Sequence, residues 1–123
     1  MKLLTKLVTV PLVAAIACVI WAQSPEFAPK YTIKEVMATA HKPPTNLLRK
    51  VAQGDASDAE KDQLLELYQS LAASTPAKGD KAAWDERTGL LVAAAEAAVK
   101  GDAEAGNLLT KASNCTACHA DHK

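Results

Sequence analysis

A chain of 123 residues has room for one domain, and its 14 basic and 14 acidic side chains cancel. Aromatic residues make up only 4% of it, while Ala, Leu and Val supply most of the apolar content. That composition favours helices packed through small side chains over a sheet, and the lack of a basic excess argues against a nucleic-acid partner.

Taken in order, the chain opens with Lys2 and Lys6 ahead of an uncharged run from Leu7 to Ala22. This is the pattern of a secretory signal peptide, residues 1–22, with small Ala22 at the cleavage point. The expectation is export, to the periplasm or an equivalent compartment. Two rivals would tether the chain to a membrane instead. One is retention of the run as an anchor, although it is shorter than the roughly 20 residues that usually span a bilayer. The other is lipidation of Cys18, for which Ala15-Ile16-Ala17 is a poor recognition sequence. Cleavage removes Cys18, Lys2 and Lys6 together, so that basic side chains fall from fourteen to twelve against fourteen acidic ones.

Residues 23–31 contain Pro25 and Pro29 without periodicity and read as an extended leader. Thr32 with Glu35 three residues on is a capping box. It opens a helix from Ile33 to about His41, stopped by Pro43-Pro44. Ile33, Val36, Met37 and Ala40 share its apolar face. Thr45 or Asn46 caps a short helix, 47–53, closed by Gly54. Ser57 with Glu60 is a second capping box and starts a helix over 58–74 with Leu64, Leu67 or Tyr68, and Leu71 inward. Asp80 caps a helix over 81–99, closed by Gly101, with the stripe Trp84, Thr88, Leu91, Ala95 and Ala98. Asp102 caps a last helix over 103–121, with Leu108, Ala112, Cys115 and His119 inward. The short connections predict an all-α, antiparallel four-helix bundle with one extra short helix between the first two, residues 32–123.

Cys115-Thr116-Ala117-Cys118-His119 is a C-x-x-C-H pattern, the signature of covalent c-type haem attachment. Thiols at i and i+3 lie on one helical face and can both reach one edge of a porphyrin. A histidine directly after the second thiol can bind the iron. Zinc sites and redox dithiols share the C-x-x-C core. Export favours haem, because two free thiols in an oxidising compartment would otherwise close into a disulfide. The remaining candidates have plainer readings beside them. Trp84 reads as bundle packing, with a place against the porphyrin as the second reading. Lys111 and Lys123 read as solvated lysines, with pairing to haem propionates or a part in a docking surface as the other readings. His122, three residues after His119, reads as a lid over the haem edge or an ordinary terminal residue. No nucleophile–base pair or paired carboxylate site is apparent, so the chain reads as a carrier and not an enzyme.

The ending Ala112-Ser113-Asn114-Cys115-Thr116-Ala117-Cys118-His119-Ala120-Asp121-His122-Lys123 resembles that of the class II cytochromes c, the cytochrome c′ and cytochrome c556 family. There the motif closes the last helix of a four-helix bundle as A-x-x-C-x-x-C-H-x-x-[FY]-[RK]. His122 stands here in place of the family's aromatic residue. The resemblance implies one covalent haem c held by Cys115 and Cys118, with His119 as axial ligand. In carrier members a methionine of the first helix fills the sixth position, and Met37 falls near that place; His41, one turn on, is the rival ligand. Family members often have an arginine in that first helix for a haem propionate, where this chain has only Lys34 and Lys42. The implied function is single-electron transfer between redox proteins through weak, transient contact. The alternative is a cytochrome c′-like protein with an open sixth site that binds NO or CO. Members of the family often form homodimers.

Overall fold

The computed structural model describes residues 28–123. The expected signal peptide with Cys18, and the leader up to residue 27, lie outside the described residues. Within them the fold is all-α, with no strand. Thr32 caps α1, Ile33–Val36, and its capping box with Glu35 is complete. The chain then continues into a wider π turn, Met37–His41. Together the two segments fill the span expected for the first helix. The main-chain N–H groups of Lys30 and Tyr31 both donate to Ser70 Oγ, at 3.1 and 3.4 Å, and tie the start of α1 to the body.

Helix α2, Leu47–Ala52, is capped by Asn46, whose Oδ1 accepts from Arg49 N at 3.3 Å. Helix α3, Asp58–Ala73, starts at the Ser57–Glu60 capping box. Helix α4, Lys81–Val99, starts at Asp80. These caps sit where side-chain oxygens can satisfy first-turn N–H groups that have no partner within the helix.

Helices α3 and α4 form the most extensive packing in the molecule, and α5, Ala105–Ala112, lies against α4 and α2. The core follows the expected stripes. Leu64, Leu67, Tyr68 and Leu71 of α3 meet Trp84, Thr88, Leu91, Ala95 and Ala98 of α4, with Val36, Ala40, Leu47 and Val51 from the earlier elements. Thr88 is accommodated inside because its hydroxyl donates to Trp84 O at 2.8 Å. Alanines on α4 let its neighbours approach closely. The same economy governs α5, where a Cβ on Gly106 would stand 2.5 Å from Ala52 O of α2.

The single helix expected over 103–121 is two helices. After α5 the backbone leaves helical geometry at Ser113 and Asn114 (ψ of 51° and 86°), and α6, Cys115–His122, begins anew. The physical reason is local. Ser113 Oγ donates back to Thr110 O at 3.2 Å, and Asn114 Oδ1 accepts from Ala117 N at 3.0 Å. Such side chains offer the backbone an alternative to helix continuation and then cap the next helix. The inward face shifts accordingly. Leu108 is 41% exposed, whereas Ala105 and Leu109 are the buried residues of α5.

Candidate functional site: one cavity between the first and last helices

A cavity of about 640 Å³ opens between α1 with its π turn, α4, and the start of α6. Its volume lies within the ~300–1,000 Å³ range of cofactor and small-molecule sites. Ile33, Met37 and His41 line it from the first segment, Leu71 from α3, and Trp84, Arg87, Thr88 and Leu91 from α4. Ala112, Cys115, Cys118, His119 and His122 line it from the end of the chain. The candidate residues of the sequence are therefore gathered at one place. Cys115, Cys118 and His119 stand on one element, and Met37 and His41 on another, with the cavity bordered by both.

The two cysteines are free thiols, Cys115 exposed and Cys118 half-buried. Their spacing on one short helix follows from the Asn114 cap, which sets where α6 starts. Cys115 Sγ lies 3.4 Å from Ser113 O, the carbonyl left over at the helix break. Burial pushes the Cys118 thiol up from its ordinary pKa, an effect the Arg87 guanidinium partly offsets. His119 is exposed along the cavity edge. Among the described residues no three His, Cys, Asp or Glu side chains converge as a cage for a metal ion.

Across from them, Met37 is half-buried against the core. His41 is also half-buried, and its Nε2 lies 3.3 Å from the Tyr68 hydroxyl. Burial, and secondarily the nearby His119, hold the His41 imidazole below its ordinary pKa, so that it is neutral near pH 7. Burial also pushes the Tyr68 phenol far up, with a smaller contribution from Cys115. Tyr68 is thus a hydroxyl and not a phenolate, able to donate to His41 or to accept from it. Met37 and His41 share the cavity side because four residues in a π turn still complete most of one revolution.

Three features of the wall were not read from the sequence. His122 is only 6% exposed. Its Nδ1 lies 3.1 Å from Lys78 O, and its ring meets Trp84 edge-on, with centroids 5.3 Å apart. Gly79 makes this seat feasible, since a Cβ there would stand 2.4 Å from Asp121 O and 2.6 Å from His122 Nδ1. Arg87 reaches the cavity from α4 and pairs with Asp121 at 2.8 Å. A signal for Arg87 existed: Trp84, Arg87, Thr88 and Leu91 fall at i, i+3, i+4 and i+7, one helical face. The Lys78–Gly79 approach involves residues more than forty positions from His122, and no local pattern announces it.

Two buried nitrogens of side chains that line the cavity, Trp84 Nε1 and His122 Nε2, have no hydrogen-bond partner among the described residues. The charged residues of the lining are all basic: Lys34, Lys42, Arg87 and Lys123, without one Asp or Glu among the described residues. The site is thus an apolar chamber with cations at its edge. It suits a ligand with an apolar body and anionic substituents. Comparison with protein-family models, with curated proteins and with solved structures finds no match to this chain.

Proposed function

We propose that this protein is an exported monohaem c-type cytochrome that carries single electrons between redox proteins. The observation that carries the reading is the cavity. It collects Cys115, Cys118 and His119, a methionine and a second histidine around one apolar space whose charged side chains, among the described residues, are basic. A porphyrin has an apolar ring and two carboxylates, and this lining is complementary to both.

Cys115 and Cys118 would hold haem c through two thioethers, and His119 would occupy one axial position. Met37 would be the favoured sixth ligand and His41 the less favoured one. When bound, the haem iron supplies reversible one-electron exchange between its ferric and ferrous states. The chain's own contribution is to bind, orient and exclude. Leu71, Trp84, Leu91 and Ala112 keep water from the ring space. The Tyr68 hydroxyl engages His41 Nε2 and so leaves Met37 the freer donor. Arg87, half-buried and presenting planar N–H donors beyond those used by Asp121, is the residue suited to a carboxylate of the ring. On this reading the helices form the four-helix, class II cytochrome c type of bundle, with α5 and α6 as the two halves of its last helix.

Purification from an exporting host followed by haem staining in a denaturing gel tests the covalent attachment, and an absorption spectrum tests the ligation. The expected spectrum is six-coordinate and low-spin in both oxidation states. Met37→Ala is expected to convert it to a high-spin form that binds CO at once. An unchanged low-spin spectrum in that variant would move the sixth ligand to His41. A five-coordinate, CO-reactive wild type would replace the carrier by the gas-binding alternative. Absence of haem from the exported protein would overturn the reading.

A further inference from the structure

Resting on the monohaem reading, we infer that Tyr68, which is not part of the cavity lining, is the positioning residue that decides between Met37 and His41 as sixth iron ligand. Tyr68 is completely buried on α3, and its hydroxyl lies 3.3 Å from His41 Nε2. The two rings pack with their centroids 5.8 Å apart and their planes tilted by 54°. No other acceptor meets that hydroxyl among the described residues, and burial keeps water from it. Of the two directions the bond could take, only one strands no proton: the phenol O–H donates and Nε2 accepts. The proton of the neutral imidazole then sits on Nδ1. It is not stranded there, because the buried side-chain nitrogens without a partner, among the described residues, are those of Trp84 and His122.

Both ring nitrogens are thereby closed to a metal. Nδ1 carries a proton, and the Nε2 lone pair is taken. Moving the proton to Nε2, to free Nδ1, would set an N–H against the Tyr68 O–H. Withdrawing Nε2 toward an iron would leave the phenol buried without an acceptor. Stranding a buried group in this way weakens such binding by roughly tenfold to a hundredfold. Met37 carries no such burden. It opens the same π turn, four positions before His41, and lines the same cavity. Among the described residues its sulfur has no hydrogen bond to give up. The choice of ligand is thus made from α3, by a hydroxyl that stays outside the space it governs.

Two measurements on the purified full protein test this. The first is a long-range ¹H–¹⁵N spectrum of the imidazoles. His41 is expected to carry its proton on Nδ1 and none on Nε2, and a proton on Nε2 would overturn the proposal. This arm reads the ring whether or not haem is attached, so the haem stain reports separately on the monohaem reading. The second follows the absorption spectrum and reduction potential of the haem-loaded protein. Tyr68→Phe keeps the ring and frees Nε2. The far-red band of thioether-bound ferric haem is expected to vanish while the spectrum stays low-spin, and the potential is expected to fall. Tyr68→Phe combined with His41→Leu should bring back both band and potential, and His41→Leu alone should change neither. A Tyr68→Phe spectrum like that of the wild type would sink the proposal, as would a low-spin wild type already lacking the band. A combined variant in which the band stays lost would make Tyr68 a packing residue only. Should the wild type be five-coordinate, the carrier reading fails, yet Tyr68→Phe still decides: a gain of low-spin ligation shows His41 released, and no gain overturns the proposal.

Discussion

At the scale of single residues, the end of the chain is seated by shape as much as by bonds. Gly79 has φ of +90°, a conformation that side-chain-bearing residues resist, and its missing Cβ is what admits Asp121 and His122. Gly79→Ala combines backbone strain with a collision against main chain that cannot rotate away. Urea denaturation should show a loss of about 1–3 kcal/mol. A loss near zero would mean that the seat of His122 is dispensable. The thiols and His119 were readable as candidates from their motif, and Met37 and His41 only through the family resemblance. His122 was underrated because a histidine near a terminus carries no mark of burial. Its environment is made by Lys78, Gly79 and Trp84, which only the folded chain brings together. Arg87 was legible in principle from its helical phase, and its partner Asp121 was not.

At the scale of elements, caps and stripes carried most of the information. Both capping boxes, the Asp80 cap and the inward stripes of α3 and α4 are found as the sequence predicts, because each depends on residues three or four positions apart. Ser57→Ala removes the acceptor for Glu60 N and should cost about 1 kcal/mol in thermal or urea unfolding. What local patterns missed is the break at Ser113–Asn114. Apolar periodicity reads through it, and the competing side-chain bonds that cause it are individually weak. The break also explains why Leu108 faces out, since α5 is free to choose its own phase once it is not continuous with α6. Helix α6 makes few contacts with the body beyond α4. Its amides should therefore exchange with deuterium faster than those of α3 and α4, measured by mass spectrometry on the purified chain. Equal protection in the three helices would show that α6 belongs to the same cooperative unit.

For the whole molecule, two carboxylates that cap helices contribute to the pH response below about pH 4.5, beneath the range in which the buried His41 already favours unfolding. Hydrogen bonds from Thr32, first its backbone N–H and then its hydroxyl, hold Glu35 below the ordinary carboxylate range. The Lys50 ammonium and then the Ser57 N–H do the same for Glu60. Both groups are easier to ionise folded than unfolded. Their stabilisation is thus fully present above their ordinary pKa of 4.5 and is lost as the pH falls through the lower folded values. The urea midpoint should drop as the solution is acidified below that point. Glu35→Gln with Glu60→Gln should lower the midpoint at neutral pH and flatten its acid dependence. An acid dependence identical to that of the wild type would assign acid lability to other groups.

The seating of α6 has a consequence for the thiols it carries. The helix is anchored at its last turn, through Asp121 and His122, while Cys115 stands at its free end next to the Ser113–Asn114 joint. A joint at one end and a catch at the other make a lever. Cys115 is exposed with the helix in place, so releasing the catch bears on the half-buried Cys118, and it does so from the end of the helix farthest from the joint.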